Sequence, residues 1–211
     1  MINIFGDSTV RELGNLKQIN VYFLGRGSRF NLADENVKNV KEKLSFLKPK
    51  ENDENYLALT APNILYQVCD TYLPFRKYKI DEIEPKVNKE YLNKVLNNYY
   101  DLVQNLHFEC KLISPYSPYP PMMPALVWYN KKLKEKFGKD KILDIFSDTI
   151  KNGEFDKSMR LDDFEHDPIH FNKKIVNIFE NKMGLKFEYE DKTRINKRFN
   201  QYGTIIVEDI L

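Results

Sequence analysis

Cysteine is scarce in this chain of 211 residues: there are two, Cys69 and Cys110. Two thiols cannot build a multi-bridge framework, and their spacing fits no zinc pattern. Both sit among apolar residues, which reads as reduced core thiols. No apolar run approaches the ~20 residues that span a bilayer. The opening Met1-Ile2-Asn3-Ile4-Phe5 lacks the basic start of a signal peptide. These features together give the expectation of a cytoplasmic protein. An excess of one charge is also missing, with 33 basic against 31 acidic residues. The basic clusters at Lys131 to Lys136 and Lys192 to Arg198 contain or adjoin acidic residues and read as solvated faces, so no nucleic-acid partner is expected. Neither Gly6-Asp7-Ser8 nor Gly25-Arg26-Gly27 fits a P-loop or the dinucleotide fingerprint. No internal repeat or low-complexity linker divides the chain, so one domain over 1–211 is expected, with its core over 2–184 and a C-terminal extension over 185–211.

Core-forming residues are plentiful, at 42% hydrophobic. Short β-rich runs alternate with helical patterns. Strands are expected at Ile2 to Phe5, Ile19 to Leu24, Tyr56 to Ala61, His107 to Ile113 and Ile142 to Phe146, with an edge strand at Thr204 to Val207. Helical spacing joins Val37, Val40, Leu44 and Leu47 after Asp34, a good N-cap. It recurs from Leu92 to Leu106, from Ala125 to Phe137, and from Ile175 to Met183 before Gly184. The alternation predicts an α/β fold: a mostly parallel sheet of about five strands, covered on both faces. The five prolines between Pro115 and Pro124 forbid a central strand or helix interior and predict a stiff loop. With Tyr116, Tyr119, Met122 and Met123, that loop is either a packed connection or the wall of a cleft.

In parallel sheets ligands bind beyond the C-terminal strand ends. Ser8 stands there, directly after the first strand, as a candidate nucleophile; the competing role for Asp7 or Ser8 is a helix N-cap. A serine hydroxyl needs an imidazole to take its proton, and the imidazole needs a carboxylate to fix its tautomer. Only three histidines are present, His107, His166 and His170. His107 opens a strand and reads as a core or sheet-end residue. The run Asp163-Phe164-Glu165-His166-Asp167-Pro168-Ile169-His170 holds two overlapping Asp-x-x-His pairs. Asp167 with His170 is the better pair, because Pro168 stiffens it and His170 directly precedes the last amphipathic helix.

A Gly-Asp-Ser after the first strand and an Asp-x-x-His before the last helix together resemble the SGNH hydrolases, the GDSL esterase and lipase group. The resemblance spans roughly residues 2 to 184. It implies a three-layer, flavodoxin-like α/β/α fold and a serine esterase with the catalytic triad Ser8, Asp167 and His170. It also implies an oxyanion hole from the N–H of Ser8, a glycine N–H after the second strand, and Asn63. Gly25 and Gly27 both qualify as that glycine, and Gly25 is preferred because it ends the strand directly. The segment Thr60-Ala61-Pro62-Asn63-Ile64 departs from the family's Gly-x-Asn-Asp, with Ala61 for the glycine and Ile64 for the aspartate. The implied substrate is a small-molecule or glycan ester carrying a short acyl group such as acetyl, with no cofactor and no metal. The alternatives are an O-acyltransferase on the same fold and a non-catalytic SGNH-like binding protein.

Overall fold

The computed structural model describes residues 1–24, 32, 37–68, 85–163, 167, 169–189, 195–199 and 205–209, the last two segments as backbone strands. Gly25, Gly27, Asp34, Cys69, His166 and Pro168 lie outside these residues.

The fold is a three-layer α/β arrangement around a mostly parallel sheet. Its parallel strands are β1 (Ile2–Gly6), β2 (Ile19–Phe23), β3 (Glu54–Ala58), β4 (Lys111–Ile113) and β5 (Ile142–Leu143). They lie in the order β2-β1-β3-β4-β5, with every pairing parallel. β1 is central and buried along its whole length, as a parallel strand covered on both faces must be. The chain leaves β1 toward β2, then returns across β1 to β3, so the strand order reverses at β1. Ligand crevices of open α/β sheets form at that point.

The helices among the described residues are α1 (Val37–Ser45), α2 (Ala61–Val68), α3 (Lys89–Gln104), α4 (Met123–Phe137) and α5 (Ile175–Met183). α1, α2 and α4 pack against α3, whereas α5 packs against the 3₁₀ segment Ser8–Leu13 that follows β1. No helix among the described residues is long and apolar enough to cross a membrane.

Register across the sheet's centre is pinned by polar side chains. Asn20, Asn3 and Asn55 stand side by side on β2, β1 and β3. The Asn3 amide donates to Asn55 and Asp53, and accepts from Asn20. Asn3 is 1% exposed, so a one-residue slip would strand these groups without partners.

Several elements differ from the sequence pattern. The third strand stops at Ala58, and Ala61 opens α2; Pro62 lies in the first turn, where its missing N–H costs nothing. The fourth strand is only Lys111–Ile113, and His107 precedes it, donating from Nε2 to the Leu47 carbonyl at 2.6 Å. The fifth is Ile142–Leu143, after which Phe146–Thr149 is a 3₁₀ turn. A small hairpin, β6 (Ile150–Lys151) with β7 (Glu154–Phe155), turns through Asn152 and Gly153, both at positive φ. The core does not end at residue 184: Phe187 is buried, and Lys17 pairs with Glu188. β8 (Ile195–Phe199) adds to β2 in parallel, in a stretch expected to be a solvated charged face. β9 (Ile205–Asp209) pairs antiparallel with β8 and forms the expected edge strand.

The proline-rich loop is a packed connection. Tyr116, Tyr119 and Met122 are each at most 2% exposed, and Pro120–Met122 forms a 3₁₀ turn leading into α4.

Candidate active site

β1 delivers the first component. Gly6 ends the strand so close to β3 that a Cβ there would lie 2.9 Å from the Ala58 carbonyl oxygen and 3.0 Å from Val10. Only glycine permits that approach. The Asp7 N–H then donates to the same Ala58 carbonyl, and the chain turns into the 3₁₀ segment. Asp7 closes the turn as an Asx cap: its Oδ1 accepts from the Thr9 N–H at 2.8 Å and the Thr9 hydroxyl at 2.7 Å. Ser8 is thereby left as the first residue of the segment, partly exposed at the sheet's C-terminal edge. The first N–H groups of a helical segment have no acceptor within it, and Ser8 carries the first N–H of this one.

The second component comes from the segment before α5. Phe171 forms a bridge to Arg160, and the Asn172 N–H donates to the Met159 carbonyl at 2.7 Å. The Asn172 side chain donates to the Ser158 and Arg160 carbonyls and accepts from the Lys174 N–H. This staple sets the chain direction at His170, which is 9% exposed. The Asp167 N–H donates to the Asp163 carbonyl at 3.0 Å.

The two components meet. His170 Nε2 lies 2.9 Å from Ser8 Oγ across 162 residues of sequence. His170 Nδ1 lies 2.6 Å from Asp167 Oδ1. An ionised carboxylate only accepts, so Nδ1 donates to Asp167 and Nε2 is left to accept the Ser8 hydroxyl proton. Of the residues singled out from the sequence, Ser8, Asp167 and His170 are thus brought into one chain of hydrogen bonds. His107 stands elsewhere, bonded to Leu47.

Asn63 occupies the first turn of α2, directly after β3, and is fully buried. Its Nδ2 donates to the Leu59 carbonyl at 3.3 Å, and its Oδ1 accepts from the Leu32 N–H at 2.7 Å. The side chain therefore ties the segment after β2 to the end of β3.

Asp7 sits beside the nucleophile and is 1% exposed. Burial pushes its carboxyl from the ordinary 3.8 up to about 6, against the smaller opposing effect of the two Thr9 hydrogen bonds. The native state then holds the Asp7 proton more tightly than the unfolded chain. Stability from this group is full below pH 3.8 and falls as pH rises to about 6, a loss of about 3 kcal/mol. Asp7→Asn removes the buried charge. Its stability relative to the parent is expected to rise between pH 4 and pH 8 in urea unfolding, and a constant difference would contradict the assignment.

Three further contributors were not singled out from the sequence as site residues. Tyr116 OH donates to the Thr9 carbonyl at 3.0 Å. Ser117 Oγ donates to the Ile169 carbonyl at 3.1 Å. Asn172 forms the staple beneath His170. The only available signal was that all three are polar residues placed next to, or within, the stiff segments flanking the site. Comparison with protein-family models, with curated proteins and with solved structures found no match to this chain.

Proposed function

We propose that the protein is a serine esterase of the SGNH type, cleaving short acyl esters through an acyl-serine intermediate. One observation carries this reading: the continuous Asp167–His170–Ser8 hydrogen-bond chain, at 2.6 and 2.9 Å. Both distances fall within the reach required for a nucleophile, a base and the base's orienting group.

In this reading His170 Nε2 takes the Ser8 proton as Oγ attacks the ester carbonyl. Asp167 holds the imidazole in the tautomer that can accept that proton and stabilises the imidazolium. The Ser8 N–H faces the developing oxyanion, and Gly25 is the further donor that the resemblance supplies; Asn63, which the resemblance also supplies, is fully buried with its Nδ2 already donating to the Leu59 carbonyl. His170 then returns the proton to the leaving alkoxide, which departs as an alcohol. A water, deprotonated by His170, attacks the acyl carbonyl, releasing the acid and restoring Ser8. The substrate is an ester of a small molecule or a glycan. A short acyl group such as acetyl is what the resemblance implies.

A fluorophosphonate probe tests the reading. It phosphonylates a serine only when a base activates it. The folded protein is expected to be labelled at Ser8 and the urea-unfolded protein not. A folded protein left unlabelled would contradict an activated serine.

A further inference from the structure

The nucleophile and the base arrive on segments far apart in sequence, and neither is held by the other's strand. The proline-rich loop after β4 touches both. Tyr116 OH donates to the carbonyl of Thr9, the residue after Ser8. Ser117 Oγ donates to the carbonyl of Ile169, the residue before His170. The Tyr116 ring stands 5.7 Å from the Phe171 ring and 6.2 Å from the Phe179 ring of α5. The loop itself is anchored: Asn130 of α4 donates to the Pro115 carbonyl at 2.9 Å, and the Tyr119 N–H donates to Ser117 Oγ at 3.3 Å. Tyr116 and Ser117 are each 2% exposed. Five prolines between 115 and 124 limit the loop's freedom.

We infer that the loop is a strap that sets the Ser8–His170 distance, with Tyr116 and Ser117 as positioning residues for the triad. This inference rests on the esterase reading for its kinetic consequence, though not for its geometry. A displacement on the order of 1 Å between reacting groups can cost about 10²-fold in rate. Loosening the strap is expected to act on the chemical step, with little effect on how substrate is bound.

The test compares three single-hydroxyl variants: Tyr116→Phe, Ser117→Ala and Tyr99→Phe. Tyr99 is the control. It is fully buried, and its hydroxyl donates to the Leu57 carbonyl at 3.1 Å, as Tyr116 donates to Thr9. All three lose one buried hydrogen bond to a backbone carbonyl, and Ser117→Ala also loses the bond from the Tyr119 N–H, so comparable falls in thermal stability are expected for Tyr116→Phe and Tyr99→Phe and a larger fall for Ser117→Ala. Only the two strap variants are expected to lose about 10–100-fold in kcat for p-nitrophenyl acetate and in fluorophosphonate labelling rate, with KM within about twofold. The double variant is expected to fall short of the product of the two single losses, since cutting either end frees the same distance.

A second readout is the low-field proton resonance of the His170 Nδ1–H to Asp167 bond, identified by its loss in His170→Ala. It is expected to broaden in Tyr116→Phe and to stay sharp in Tyr99→Phe. If the parent protein is not labelled at Ser8, the esterase reading has failed and the resonance alone decides the strap. Tyr116→Phe with the parent's labelling rate, or with an unchanged resonance, overturns the strap. So does a parent protein that shows no such resonance.

Discussion

Ser8→Ala is expected to lower kcat for p-nitrophenyl acetate hydrolysis by at least about 10⁴-fold while leaving the fold intact. The size of the loss follows from the geometry. Ser8 Oγ is the atom 2.9 Å from His170 Nε2, and its removal leaves the base with nothing to activate but water. The fold should be indifferent to the change. The turn at Ser8 is held by the Asp7 carboxylate on Thr9 and by the Ala58 carbonyl on the Asp7 N–H, not by the Ser8 hydroxyl. Stopped assays with purified variant and parent, alongside circular dichroism, check both halves. A variant that keeps even a tenth of the parent rate would place the nucleophile elsewhere.

The second large effect separates the two histidines of the Asp-x-x-His run. His170→Ala is expected to cost about 10³-fold or more, because it removes the group that accepts the Ser8 proton. Asp167→Asn is expected to cost about 10²–10⁴-fold, since an amide facing Nδ1 favours the wrong tautomer. His166→Ala should stay within about threefold of the parent, because His170 already places a base 2.9 Å from Ser8 Oγ. Steady-state kinetics on the three variants are sufficient. Equal losses at residues 166 and 170, or the reverse order, would transfer the base to the Asp163-His166 pair.

The Asp167–His170–Ser8 hydrogen-bond chain was legible because each half is a local pattern. Gly6 must be glycine to approach Ala58, Asp7 must cap the turn, and Ser8 follows. Asp167 reaches His170 within one turn of chain. Pattern reading finds such short-range chemistry well. The parallel sheet was legible for a related reason: β1 and β2 are apolar runs between turn signals, and the last helix carries its apolar stripe up to Gly184, which adopts the left-handed conformation expected of a C-terminal cap.

What was hidden depends on partners distant in sequence. Pro62 reads as a breaker, yet it lies in the first turn of α2, where a proline is accepted. Lys192 to Arg198 reads as a solvated charged face, because its basic residues adjoin acidic ones, yet Ile195–Phe199 within and beyond it is a strand. It forms through backbone pairing with β2. Tyr116 and Ser117 sit in a loop that the sequence leaves as either a packed connection or the wall of a cleft; their burial arises only when β4, α4 and the segment before α5 close around them. The same limit applies to Asn63. Its place after β3 was readable, but its bonds to Leu32 and Leu59 were not.

The central claim is that the ends of the chain meet to make Ser8 a nucleophile, and trapping the acyl-enzyme tests it most directly. Protein mixed briefly with p-nitrophenyl acetate and quenched in acid is digested, and its peptides are weighed. The account predicts one acetyl group on the peptide that contains Ser8, absent in Ser8→Ala and in His170→Ala. An acetyl group found only on lysines, or persisting in either variant to the same extent, would contradict it.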